Sequence, residues 1–144
     1  MRSRILMAVV TVEAISAIFG FWGGIPLLVD PSGKILGLEM NLLSEIPIKN
    51  FILPAIWLLV VYGFGCSIAA YGLWGHKTWG WLLSFLISLI WIGWVSFELY
   101  LWRLSVAVIN TTWPWLIPPV TALILLFTPE VRMLGKKKQI GVNQ

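Results

Sequence analysis

The 144-residue sequence predicts an all-α fold, a bundle of four membrane-spanning helices with a short amphipathic helix in the outer first loop, forming one domain over residues 1–144. Three observations predict it. Hydrophobic residues make up 59% of the chain and charged residues 11%, against about 45–50% and about 25% in soluble domains. Mean hydropathy is +0.90. A water-exposed surface could not be covered with so little charge, which argues against a soluble monomer and against a disordered chain. Second, four apolar stretches approach the roughly 20 residues that a helix needs to cross a bilayer. Third, tryptophans and basic residues gather at the ends of those stretches, as they do at membrane–water boundaries.

The first span is expected over 5–29. Arg2 and Arg4 give it a basic start, as in a signal peptide, but Glu13 interrupts the apolar run. The small-residue pattern that a cleavage site wants is spoiled by Ile15 between Ala14 and Ser16, so the segment reads as an uncleaved span. The outer loop, 30–50, opens with Asp30-Pro31-Ser32-Gly33, residue types that suit a β-turn. Leu36, Leu38, Met40, Leu42, Leu43 and Ile46 then mix with Glu39, Asn41, Ser44 and Glu45, consistent with a short amphipathic helix that ends before Pro47. It would act as a cap over the bundle, or as a lid or docking surface.

The second span is expected over 51–74 and the third over 79–102. The fourth is expected over 105–127 and is strongest over 113–127. Pro114, Pro118 and Pro119 predict that it is kinked or starts late. No stretch alternates as a membrane β-strand would. Residues 128–144 read as a basic tail.

With four spans, both termini and the second loop share one side. That side carries Arg2, Arg4, Lys77, Arg132, Lys136, Lys137 and Lys138, and the other carries Lys34, Lys49 and Arg103. The asymmetry places both termini in the cytoplasm. It also accounts for the net charge of +4 without any nucleic-acid partner. Lys136–Lys138 suit anionic lipid headgroups. Trp74, Trp79 and Trp81 lie near the cytoplasmic ends, and Trp22, Trp102, Trp113 and Trp115 near the outer ends. Trp57, Trp91 and Trp94 sit deeper, where core or lipid packing is the plain reading.

Gly23-Gly24, Leu27-Leu28, Asp30-Pro31-Ser32-Gly33, Leu36-Gly37-Leu38, Ile46-Pro47 and Pro54 form an ordered series, which Tyr71-Gly72-Leu73-Trp74 and Lys77-Thr78-Trp79 continue. This series resembles that of small uncharacterised four-span membrane proteins of prokaryotes, loosely grouped as DoxX-like. The resemblance covers residues 12–103. It implies the four-span fold and a prokaryotic cytoplasmic membrane. The family includes subunits tied to thiosulfate-to-quinone electron transfer, but the shared motifs are turns and helix ends, and no catalytic residue carries over.

A charge inside a span costs at least about 2.5 kcal/mol at the bilayer centre and so points to function. Glu13 and Glu98 are the two candidates. Glu13 shares a helical face with Ser16, Ala17, Gly20 and Gly24, and small residues let another helix approach closely. Glu13 is therefore expected at a helix interface or cavity, either as a proton-carrying carboxyl or as a hydrogen-bonded group holding the bundle together. Gly63 and Ser67 are the matching small residues of the second span, beside Cys66. Glu98 lies near the outer end of the third span, on a face with Trp91, Trp94 and Trp102. That face is a candidate groove for a ring-shaped ligand such as a quinone, or an ordinary interfacial anchor. The two glutamates differ in depth by about 17 Å at 1.5 Å per residue, too far to form one paired-carboxylate site.

Small multidrug transporters also have four spans and a glutamate in the first, but no motif around Glu13 matches them and the long outer loop does not fit. Catalytic motifs are missing: there is no HExxH and no GxSxG, and Gly63-Phe64-Gly65 lacks the third glycine of a dinucleotide fingerprint. One Cys and one His provide neither a redox pair nor a two-His metal site. Asn110-Thr111-Thr112 matches a glycosylation sequon by chance, close to the membrane. No cofactor, no metal ligand set and no catalytic residue is therefore expected.

Three functions stay open. The first is a non-catalytic accessory subunit that packs against other membrane subunits, such as those of a respiratory or other oxidoreductase complex, or against copies of itself. The second is a small proton-coupled transporter using Glu13. The third is a quinone-interacting subunit using the Trp91–Glu98 face.

Overall fold

A computed structural model of the chain describes residues 4–38, 49–101 and 113–136. Helix α1 runs over Arg4–Val29, α2 over Ile52–Trp74 and α3 over Thr78–Leu101. A 3₁₀ turn at Trp113–Leu116 leads into α4, Ile117–Leu126, and α5 follows over Pro129–Lys136. No strand occurs among the described residues. The all-helical expectation therefore holds, and the first three helices begin and end within a residue or so of the expected spans. Residues 105–112, the rest of the expected fourth span, lie outside the described residues.

Helices α1, α2 and α3 are each long and apolar enough to cross a membrane. At about 1.5 Å per residue, the 26 residues of α1 exceed a hydrocarbon core of about 30 Å. Their outward faces are apolar too. Ile18, Trp22 and Ile25 on α1, Val60, Phe64 and Ile68 on α2, and Leu82, Leu86 and Phe97 on α3 are all exposed. A helix that is apolar all round suits burial or a lipid environment.

The fourth expected span is not one straight helix. Helix α4 has ten residues, about 15 Å of rise, and is bent by 82° from α5. Proline explains both ends. Pro118 and Pro119 occupy the start of α4, where missing N–H groups cost least. Pro129 biases Thr128 away from helical geometry. The Thr128 hydroxyl donates to Leu125 O at 2.7 Å, and its carbonyl accepts from the amides of Val131 and Arg132. The first part of the expected basic tail is thus an amphipathic helix. Its Val131 and Leu134 are buried, while Glu130, Arg132 and Met133 face outward.

The connections close as local chemistry dictates. The Gly33 amide donates to Asp30 O at 3.1 Å, closing the expected turn. The Asp30 carboxylate accepts from the Ser32 hydroxyl at 2.6 Å and the Ser32 amide at 3.0 Å. These bonds hold its carboxyl below the usual range because they favour the charged form. Leu36 and Leu38 then pack with Phe51 over Leu27 and Ala55, forming part of a cap at that end of the bundle. Most of the expected amphipathic helix, 39–48, lies outside the described residues. Between α2 and α3, the His76 amide donates to Leu73 O and the Lys77 amide to Gly72 O. His76 takes the left-handed φ of 54°, at the position that glycine usually fills in this helix ending.

Around the bundle, α1 packs on α2 and α4, and α3 packs on α2 and α4. Helices α1 and α3 thus face each other across the centre. Gly20 of α1 lies against Gly63 of α2, and a Cβ at Gly20 would overlap the Gly63 amide. Gly72 and Gly80 make the same kind of contact between α2 and α3. Leu6, Val9, Val10, Leu73, Leu126, Val131 and Leu134 form the apolar core at the end holding the α2–α3 turn. Ala17, Tyr62, Ala69, Ile87, Trp91 and Val95 belong to a second cluster farther along the bundle.

Gly20→Ala and Gly80→Ala are expected to destabilise the bundle, each by on the order of 1–3 kcal/mol, because backbone must move to admit the methyl group. Gly93 has open space around its Cβ position, so Gly93→Ala leaves the melting temperature in detergent unchanged or slightly raised. Thermal unfolding of the three variants checks this.

Candidate functional site

Four polar or charged residues are buried among the described residues: Glu13 at 3% exposure, Ser16, Ser84 and Ser88. They come from the two helices that oppose each other across the bundle. Glu13 and Ser16 are one turn apart on α1, and Ser84 and Ser88 one turn apart on α3. The Ser84 hydroxyl donates to Glu13 Oε1. A glutamate side chain is long enough to reach across a centre that serine alone would leave open. The Cys66 thiol of α2 lies against the same carboxyl. Buried polar groups in a low-dielectric interior need such partners.

Helix α2 supplies the remaining group. Its Leu58–Gly65 segment is wound as a π-helix with two buried residues, Tyr62 and Gly63. Such wide turns are rare and recur at functional sites. Gly63 accepts the close approach of α1, and its carbonyl accepts the Ser67 hydroxyl at 2.7 Å. The Tyr62 ring stacks on Trp91 with centroids 3.8 Å apart and planes 11° apart. Its hydroxyl points toward Ser16, Cys66 and Glu13 but meets hydrogen-bond geometry with none of them, so it is buried without a partner. A cavity of about 10 Å³, measured as room for the centre of a water-sized sphere, opens among Glu13, Ser16, Tyr62, Cys66, Ser88 and Pro119. All four helices α1–α4 border it.

Two indoles of α3 hold the short helix α4 beside this cavity. Trp91 Nε1 donates to Trp115 O at 3.2 Å, and Trp81 Nε1 donates to Leu126 O at 3.1 Å. The carbonyls at the last turn of a helix lack intrahelical partners, and in an apolar surround each must be satisfied from within the protein.

The structure separates the sequence candidates into two groups. Glu13, Ser16, Gly20 and Gly24 do face another helix, and that helix belongs to the same chain: Gly20 meets Gly63, and Gly24 meets Leu59 and Ala55. Trp91 lies against Tyr62 at the edge of this site, whereas Trp94 and Glu98 sit elsewhere. Trp94 Nε1 donates to Glu98 Oε1 at 2.7 Å, and the Trp94 ring stacks on Trp57 at 4.9 Å. One face of each ring is thus covered, that of Trp91 by Tyr62 and that of Trp94 by Trp57. Among the described residues, no three His, Cys, Asp or Glu side chains gather as a metal site.

Sequence reasoning missed Ser84, Ser88, Tyr62 and Cys66 as the company of Glu13. A faint signal existed. Ser84 and Ser88 repeat at four residues on an apolar helix, and Tyr62 is the one tyrosine far from either end of its span.

Ser84→Ala is expected to lower stability by on the order of 1–2 kcal/mol, since it strips a buried carboxyl of its donor. Glu13→Gln keeps an acceptor for Ser84 and costs less. In a double-mutant cycle monitored by thermal unfolding, the pair is expected to be non-additive. No family model matches the chain, and neither a curated protein nor a solved structure does.

Proposed function

We propose that the protein is an integral four-span protein of a prokaryotic cytoplasmic membrane, with both termini cytoplasmic, that carries protons through the bundle on Glu13. The observation that carries this reading is the buried Glu13 carboxyl, bonded across the bundle to Ser84 and bordering a small cavity. An ionisable group kept inside an apolar bundle is costly, and residues of this kind mark ion and proton pathways. Glu13 takes up a proton from one side and releases it to the other, and the cycle transfers one H⁺. Broken helices flank ion sites in membrane transporters, and the short α4, from which α5 turns away by 82° at the far end, borders the same cavity through Pro118 and Pro119. The exposed apolar faces of α1–α3 suit lipid contact.

The alternative of an accessory subunit drew on the small-residue faces as docking surfaces for other chains. Gly20, Gly24 and Gly63 pack within this chain, so they no longer favour a partner. The quinone reading likewise draws no support from ring faces that are already stacked. The balance therefore moves to Glu13.

The decisive assay is proton flux in liposomes reporting internal pH. Wild type is expected to dissipate an imposed pH gradient, and Glu13→Gln to lose this activity while remaining folded. Equal flux in the two proteins, or none in wild type, refutes the carrier. Orientation is tested in a Cys66→Ala background. An impermeant maleimide added to intact cells is expected to label Lys34→Cys, and to reach His76→Cys only after permeabilisation.

A further inference from the structure

We propose that the cavity beside Glu13 is a binding site for one water molecule, held by the Tyr62 hydroxyl and shared with the Glu13 layer. This deepens the Glu13 reading without depending on transport. Three observations converge on it. The cavity has about 10 Å³ of room for the centre of a water-sized sphere, which is about what one water requires. Its wall is mostly apolar but carries the polar groups of Glu13, Ser16, Cys66 and Ser88, and a buried water needs two to four polar partners. Tyr62, at 2% exposure, has a hydroxyl that is buried, unpartnered and turned toward these groups.

An unsatisfied hydroxyl inside a bundle is a rare arrangement that calls for a partner. No neighbour of Tyr62 meets hydrogen-bond geometry with that hydroxyl. Ser84 already donates to Glu13, and Ser16 lies near the Tyr62 hydroxyl without the geometry of a bond. A water in the cavity resolves this: it accepts from Tyr62 and donates onward within the layer. The Tyr62 ring is fixed by its stack on Trp91, so the hydroxyl has little freedom to turn elsewhere. The water also gives Glu13 a mobile proton partner, which the serines and the thiol, each fixed on its helix, do not provide.

The test is a crystal structure of the full chain at a resolution that shows ordered waters, for wild type and for Tyr62→Phe. Phenylalanine keeps the stacked ring and removes only the hydroxyl. Wild type is expected to show one density peak at hydrogen-bond distance from Tyr62 Oη, and Tyr62→Phe to lose it. An ordered cavity without a peak overturns the proposal, as does a peak unchanged in the variant. Ala122→Val, which pushes methyl groups into the same cavity, is the second variant. It too is expected to lose the peak, and a retained peak overturns the proposal. A wild-type protein that holds the water yet moves no protons refutes the carrier and leaves this site standing.

Discussion

The Glu13 carboxyl borders a cavity lined by all four helices α1–α4, and its hydrogen bond from Ser84 joins the pair of helices that do not otherwise pack closely. Much of the bundle is arranged around that constraint. A buried carboxyl needs donors, and donors on α3 come within reach only if the bundle is narrow. The bundle is narrow because α1 and α2 touch backbone to backbone at Gly20 and Gly63, and α2 and α3 do so at Gly72 and Gly80. Glycine is the one residue that permits this spacing. Apolar clusters flank the polar layer, the second of them including its Tyr62 and Cys66, so the layer is short along the bundle.

The fourth side of the bundle meets a different demand. Prolines divide it into a ten-residue helix and a bent amphipathic one, which leaves more helix ends than a single span would have. Backbone groups at those ends must find partners away from water. Trp91 and Trp81 of α3 meet part of that demand with indole N–H groups reaching carbonyls near the two ends of α4. The same Trp91 ring carries Tyr62 on its face. One residue therefore links the support of the broken helix to the position of the hydroxyl above the cavity, and a disturbance of α4 would be felt at the polar layer.

Function at the Glu13 layer would draw on these two features together. A carboxyl fixed by one serine is a structural tie. A carboxyl that also borders a cavity lined by further polar side chains and by the short α4 has room for a proton-exchanging partner, as the proposed carrier requires. The outer Trp94–Glu98 pair has neither feature, since its rings are stacked and its carboxylate is already bonded.

Legible in the sequence alone were the helical class, the three long helices and their limits, the turn at 30–33 and the position of Glu13 against another helix. Each of these follows from local or one-dimensional properties: apolar run length, proline and glycine chemistry, and the cost of a charge in an apolar stretch. The partners of Glu13 were not legible, because Ser84 lies 71 residues away and on the opposite helix, and one helix's periodicity says nothing about what stands across the bundle. The fate of 128–136 was misread as tail for a related reason. Its polar composition hid two apolar residues, Val131 and Leu134, whose burial depends on a surface made by Leu6, Val9 and Leu73. Only the tertiary structure decided that the small-residue faces are filled from within, that α4 is short and bent, and that a buried hydroxyl and a carboxyl share one cavity. Each depends on which helices become neighbours, and that is set by close packing of the whole chain.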